Sequence, residues 1–461
     1  MADGPNTATW KPNQVTTMTV SSAARRAMSN EWAFAIVFIV VNLHTLRRAS
    51  NVGYLFAYSL VAASSIFAFL NRRKYRELKD GGLLLAGWIV IAIAGFVTTI
   101  ATTSLIAGIT GLTRFLFAIP IFLALVAFTD SLDEFRNHLS IIIVFYTLGA
   151  LTIPLQEFTG PITWFATSSE RAGFERYGSL LGALSVVGGT VALYMLLQQE
   201  SKLKARPAFL SIMALSALLS LSKAAIGGVA LGILGLLIVN YRSLGRWAIT
   251  IALSAFLVLA VLSVNSDLTS RISAVSQSYG ISLTGEQIAS NDASIEEGIT
   301  ERLTTRPAQN FAALKQFNSP FVYIVGAGYG MGGLTLVDRE EDVMAPQAHN
   351  QYAELVTIFG PVGGAMLILM VITIVVRLWR AFHSRKLRIY FSFLVIMFVW
   401  MLIGLFGGGS FFQPAMASIL WISTFVAFTK VSLEPRGNPI QHASEGNGVD
   451  GHNVVGTGSK A

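Results

Sequence analysis

The chain contains no cysteine. Disulfides, thiolate nucleophiles and cysteine-ligated metals are therefore excluded. Charge is also scarce. Asp, Glu, Lys and Arg make up only 13% of 461 residues, while 53% are hydrophobic. Mean hydropathy is +0.60. Such a chain is not an ordinary soluble protein and calls for several membrane spans. No dense carboxylate set stands at metal-ligand spacing, so no metal and no cofactor are inferred. No internal repeat is evident, which counts against a carrier built from two related halves. The first thirty or so residues are polar and lack a cleavable signal pattern, so the first span is expected to serve for targeting.

What is abundant is apolar sequence in blocks. Twelve segments stand out, at roughly 31–46, 52–70, 82–100, 112–128, 139–155, 179–198, 208–222, 224–240, 247–264, 350–376, 389–406 and 413–429. Each is near the ~20 residues a helix needs to cross ~30 Å of hydrocarbon. The seventh and eighth meet at a tight junction, Ser222-Lys223, so the count is eleven or twelve. The expected fold class is all-α, a polytopic integral membrane protein.

The net charge of +8 would point to nucleic acid in a soluble protein; here it follows from cytoplasmic turns, and no nucleic acid is expected. With the N-terminus cytoplasmic, sixteen basic residues fall in short turns on one side. They are Arg72, Arg73, Lys74, Arg76, Lys79, Arg136, Lys202, Lys204, Arg206, Arg242, Arg246, Arg377, Arg380, Arg385, Lys386 and Arg388. This is the positive-inside bias. Arg47 and Arg48 fall on the other side and count against it. The domain organisation is then a cytoplasmic tail (1–30), nine helices (31–264), a large outer loop (265–349), three helices (350–430) and a Gly-, Asn- and Ser-rich tail (431–461) expected to be disordered. The large loop carries ten acidic and five basic residues and is too long for a turn, so a small helical cap is expected.

The most informative stretch is Ala348-His349-Asn350-Gln351-Tyr352-Ala353-Glu354-Leu355, leading to Gly360-Pro361-Val362-Gly363. It puts a histidine at the mouth of an apolar helix, directly after the polar loop. At about 100° per residue, eleven residues make about three turns, which would put His349 and Gly360 on one helix face with Gly363 nearby. Small residues there would admit another helix. A helix N-terminus disfavours imidazolium and keeps a histidine able to accept a proton.

Basic residues on the outer side are few. Lys223 sits between two apolar runs, where it either snorkels or meets an anion. Arg302 opens an amphipathic stretch of the large loop, and Arg171 precedes the sixth span; each could equally lie on a solvated face. Arg114 lies inside the fourth segment, where a buried salt bridge is expected. A diphosphate suits Arg forks and Lys point charges, and an acceptor hydroxyl suits a base that titrates near neutral pH. Gly328-Tyr329-Gly330-Met331-Gly332-Gly333 formally matches a dinucleotide fingerprint, but no βαβ pattern surrounds it; a flexible glycine loop shaping the site is the expectation. His44, His138, His383, His442 and His452 are not expected to be catalytic. Trp32, Trp88, Trp164, Trp247 and Trp379 fall near the expected interfaces, where indoles usually sit.

Over roughly residues 165–410 these motifs resemble the O-antigen ligase and O-antigen polymerase superfamily. AHNQYAELVTIFGPVGG is similar to its His-Asn, nine residues, Gly, two residues, Gly signature. RAGFERYGSLLGAL, SLSKAAIGGVALGILGLLI and ERLTTRPAQNFAALKQFNSPFVYIVGAGYG resemble its arginine-bearing segments. Lys223 stands where the family usually has Arg, which removes bidentate recognition. The resemblance implies a membrane glycosyltransferase in a bacterial inner membrane, active on the periplasmic side. It implies an undecaprenyl-diphosphate-linked glycan donor, a glycan or lipid-linked acceptor, surrounding membrane lipids, and room for a chain-length regulator protein as partner. It assigns the catalytic base to His349, the diphosphate contacts to Lys223, Arg302 and Arg171, and supporting roles to Asn350, Gly360 and Gly363. A polysaccharide polymerase is favoured over a ligase to lipid A–core. A transporter or flippase is the rival from another class; it would show ionisable residues deep in several spans and broken helices at mid-membrane.

The basic-residue asymmetry predicts which side each loop faces. Because the chain has no native cysteine, single cysteines can be read without background. Ser290→Cys and Thr335→Cys should react with an impermeant thiol reagent in intact spheroplasts, and Lys204→Cys and Ser384→Cys should not. The opposite pattern would invert the orientation.

Overall fold

Where backbone groups cannot reach water they must bond within the chain, and the helix achieves this locally. The computed structural model describes residues 15–42, 59–66, 79–160, 169–171, 174–176, 206–220, 223–239, 244–264, 308, 320–329, 350–385, 388–407 and 411–429. Almost all of these are helical. The main helices are α1 (Val15–Asn42), α2 (Lys79–Thr102), α3 (Leu105–Leu116), α4 (Ile119–Phe128), α5 (Leu132–Thr159), α6 (Arg206–Leu219), α7 (Lys223–Val239) and α8 (Leu244–Val264). They continue with a single turn α9 (Val322–Val325), then α10 (Gln351–Arg385), α11 (Arg388–Gly407) and α12 (Pro414–Phe428). Residues 59–66 form a further helical stretch. The fold class is all-α as expected, with one short antiparallel hairpin, β1 (Ser169–Arg171) and β2 (Phe174–Arg176), beside the helices.

Four stretches are long and apolar enough to cross a bilayer: Gly81–Thr102, Leu105–Phe128, Leu132–Thr159 and Gln351–Ser384. Six shorter apolar helices accompany them among the described residues. Several expected boundaries shift. α1 begins at Val15, inside the stretch expected to be a polar tail, with its apolar part at Ser29–Asn42. The fourth segment is two helices, because the chain turns at Phe117-Ala118 before Pro120 starts α4. The seventh and eighth segments are separate helices, α6 and α7, packed on each other. The expected sixth span, most of the large loop and the C-terminal tail lie outside the described residues.

Local chemistry explains the starts. Ser104 caps α3, its Oγ accepting from Ala107 N at 3.1 Å. Ser131 caps α5 through Glu134 N at 3.3 Å, while the Glu134 carboxylate reaches back to Asp130 N. That is a variant of the capping box. Pro414 opens α12, where a missing N–H costs nothing.

α4 and α12 are apolar on every face, and such helices belong in the interior. Every residue from Pro414 to Val426 is buried, as are nine of the ten in α4. α12 packs against α2, α4, α10 and α11. Trp400 Nε1 donates to Met416 O at 2.8 Å and fixes α11 on it. Trp88 is a core residue and not the expected interfacial anchor. It is 2% exposed, stacks on Phe115 at 4.8 Å and meets Trp421 edge-on at 5.2 Å. Trp32 and Trp379 do face outward. α10 exposes Val362, Met366, Leu369, Ile372, Val376 and Trp379 along one side, the apolar face a helix turns to lipid.

Aromatic contacts sort the helix ends. Phe135, near the start of α5, meets Phe393 near the start of α11 and Phe425 near the end of α12. Arg377 of α10 lies 5.1 Å over the Phe428 ring. Arg136 and Arg377, assigned by sequence to one side, thus share one end of the bundle. The other end gathers the close of α2, the start of α10 and the close of α11. His138 is the seventh residue of α5 and fully buried. Its ring lies 4.3 Å from Phe34, and its Nδ1 is 3.1 Å from Thr129 Oγ1.

Because Trp88 fills the junction of α2, α3 and α12, Trp88→Ala should cost about 3–5 kcal/mol of stability. Unfolding of the purified protein in detergent should show it, with the exposed Trp32→Ala nearly silent.

Candidate functional site

Two residues decide the shape of the α10 mouth. Pro361 has no N–H, so the Thr357 carbonyl four residues earlier loses its helical partner. Gly360 takes φ 71°, ψ 174°, a conformation essentially reserved for glycine. The helix therefore breaks roughly 14 Å from its start, and the carbonyls of Thr357 and Ile358 need other donors.

A strap from the large loop supplies them. After the turn α9, residues Gly326 to Tyr329 run back into the protein as irregular chain, all buried. Ala327 N donates to Thr357 O and Gly328 N to Ile358 O, both at 2.9 Å. The approach is backbone against backbone. A Cβ on Gly360 would fall on the Ile324 carbonyl, and one on Gly326 would fall on Ile358 O. Both glycines have positive φ, so size and conformation exclude other residues. The far side of the strap bonds α2. Tyr329 N donates to Thr99 Oγ1 at 2.7 Å, and Thr102 Oγ1 lies 2.7 Å from Ala327 O. The Tyr329 ring fits against Gly95 and Gly111, meets Phe359 edge-on at 5.6 Å, and donates its hydroxyl to Ala92 O at 2.9 Å.

The first half of α10 is polar inside. Asn350, Gln351, Glu354 and Thr357 are all at least 94% buried. Asn350 caps the helix, its Oδ1 accepting from Tyr352 N at 3.1 Å and Ala353 N at 3.3 Å. The Gln351 amide packs against Gly404 of α11, in space a Cβ would occupy. Tyr352 donates its hydroxyl to Met401 O at 3.1 Å. The Glu354 carboxylate sits in the first turn, where the helix dipole favours it.

Asn350, Gly360 and Gly363 lie among the described residues. Asn350 is a helix cap. The helix begins after Asn350 and is broken at Gly360, so no unbroken helix face runs the length expected for the motif. What approaches Gly360 is the helical turn α9, through the Ile324 carbonyl, with Gly326 N of the strap just beyond it. Gly363 leaves room for Phe359 across the break. Of the glycine run 328–333, Gly328 and Tyr329 are hydrogen-bonded to α10 and α2, and residues 330–333 lie outside the described residues. His349 and Arg302 lie outside the described residues. Arg171 ends β1 opposite Phe174, and Lys223 is the first residue of α7; the side chains of both lie outside the described residues. α7 packs against α11, the helix that also carries Met401 and Gly404. Arg114, 8% exposed, lies in the last turn of α3, where the helix end favours a cation.

Sequence reasoning passed over Glu354 and Gln351. The available signal was a carboxylate four residues after Asn350 at the start of an apolar helix, since an ionisable residue in a span is a functional hypothesis by default. Tyr329 was read only as part of a glycine run.

Gly360→Ala should destabilise the protein by at least about 1–3 kcal/mol, read as a lower unfolding midpoint in detergent. Gly363→Ala should cost less, because only the Phe359 side chain needs to move. Equal stability of Gly360→Ala and the parent would mean that the break is not locked. Compared with known proteins, the chain matches no family model and no curated protein, so its function has to be argued from its own residues.

Proposed function

We propose that the chain is a polytopic membrane glycosyltransferase of the extracytoplasmic face, and within that class a polysaccharide polymerase for O-antigen or exopolysaccharide. An undecaprenyl-diphosphate-linked glycan is the donor and a sugar hydroxyl the acceptor. His349 takes the proton of the acceptor hydroxyl. The oxygen attacks the donor C1, the C1–O bond to the diphosphate breaks, and the anomeric centre inverts. Lys223, Arg302 and Arg171 neutralise the departing lipid diphosphate. The membrane delivers the prenyl tail laterally, so no soluble donor site is needed.

One observation supports this proposal: Asn350, Gln351 and Glu354 place buried polar groups at the start of the apolar helix α10, and His349 directly precedes Asn350 in the sequence. Buried polar groups are costly unless hydrogen-bonded, and an ionisable residue within an apolar span is a functional-site hypothesis by default. The same motif fits a ligase that transfers glycan to lipid A–core, which differs only in its acceptor.

The flippase reading also has support. α10 is broken, and Arg114, His138 and Glu354 are buried ionisable residues. Against it, the carbonyls freed by the break already accept from Ala327 and Gly328. In a carrier such carbonyls would coordinate the transported ion.

The test is polymer yield from purified protein in liposomes with a lipid-linked repeat unit. His349→Ala should lower it by ~10²–10⁴-fold at unchanged protein abundance, and His383→Ala should be silent. Arg302→Ala should be severe and Arg302→Lys only partly active, since Lys keeps charge but not the fork. Lys223→Arg should be tolerated and Lys223→Ala should not. A chelator should leave the yield unchanged. Normal polymer from His349→Ala would sink the base assignment. Movement of lipid-linked glycan across the bilayer with no new glycosidic bond would favour the flippase.

A further inference from the structure

Tyr329 contacts α2, α3 and the Phe359 end of the first half of α10, yet it lies in a loop. Its ring occupies the space left by Gly95 on α2 and Gly111 on α3, and it meets Phe115 and Phe359. Its backbone N–H and its hydroxyl both donate to α2, through Thr99 Oγ1 and Ala92 O. Thr99 uses its hydroxyl fully, accepting from Tyr329 N and donating to Gly95 O at 2.6 Å. One and two residues before Tyr329, the Gly328 and Ala327 amides hold the free carbonyl end of the first half of α10.

That half, Gln351 to Phe359, is joined to the rest of α10 only through Gly360, a residue without a helical bond across it. Its direction is therefore set from outside. At its start Tyr352 bonds Met401, and at its end the strap bonds Thr357 and Ile358.

We infer that Tyr329 is a positioning residue: keyed into α2 and α3, it fixes through the strap the direction of the Gln351–Phe359 half-helix and so the residues at its mouth. This rests on the transferase proposal for its kinetic consequence only. A misplacement of about 1 Å at a reacting group can cost 10²-fold in rate, so small losses of anchoring should appear in turnover and not in donor binding.

The experiment uses the full-length protein in nanodiscs, with amide hydrogen exchange and liposome turnover measured on the same variants. Tyr329→Phe keeps the ring and removes only the bond to Ala92 O. Thr99→Val removes the acceptor for Tyr329 N, and Thr99→Ser restores it. Both Tyr329→Phe and Thr99→Val should speed exchange about fivefold over residues 322–329 and 351–359, the factor expected for one ordinary hydrogen bond. Exchange over 389–405 should be unchanged. Turnover should fall about tenfold with KM for the lipid-linked donor unaltered, and Thr99→Ser should recover both. Unchanged exchange over 351–359 overturns the inference. Faster exchange with full turnover also overturns it, since the strap would then hold structure without positioning the site. His349→Ala is measured alongside. Full turnover in that variant would remove the transferase proposal instead, and the exchange comparison would still uphold or overturn the anchoring by Tyr329.

Discussion

Two carbonyls without helical partners organise the end of the bundle where α10 begins. Pro361 cannot donate and Gly360 leaves the helix, so Thr357 O and Ile358 O face the interior unbonded by their own helix. In an apolar environment an unsatisfied backbone group costs several kcal/mol. Ala327 and Gly328 meet this need with two N–H groups. To reach it, the loop must enter between α2, α3 and α10. That entry requires Gly326, Gly328 and Gly360 to lack side chains, Thr99 and Thr102 to face the loop, and Tyr329 to find notches at Gly95 and Gly111. Each of these choices is isolated in sequence, and together they form one joint.

The rest of the bundle serves to keep that joint dry. α12 and α4 are buried on all sides, and Trp88, Phe115, Trp421, Trp400 and Phe411 interlock around them. Lipid tails are as apolar as leucine, so tight packing and buried hydrogen bonds hold such helices together. The bonds from Trp400 Nε1 to Met416 O and from Ser216 Oγ to Ala150 O are of that kind. Outward faces need no partner, which is why α2 and α10 leave so much valine, isoleucine and leucine exposed.

The chemistry proposed for the mouth fits this frame. A base at a helix start stays neutral because the helix end opposes a positive imidazolium. A carboxylate in the first turn, Glu354, is stabilised by the same dipole. Gln351 wedged against Gly404 and Tyr352 bonded to Met401 tie the mouth to α11. α7, which begins with Lys223, packs on that same helix.

Hydropathy alone determined that the chain is helical and where most helices run. α2, α5, α8, α10, α11 and α12 match the apolar segments to within several residues, because an apolar block has no other way to satisfy its backbone in lipid. Basic residues also sorted the turns correctly in one respect: Arg136 and Arg377 share an end. The polar mouth was legible as a motif, since Asn350 and Gly360 stand at recognisable spacing. Its geometry was not. A periodicity argument assumes an unbroken helix, and whether Gly360-Pro361 bends or breaks one depends on a donor arriving from elsewhere. That donor lies more than thirty residues away, on Ala327 and Gly328, and no local pattern encodes the meeting. Trp88 and His138 make the same point. An indole or imidazole near a helix end reads as interfacial, and only the helices packed over it decide that it is core.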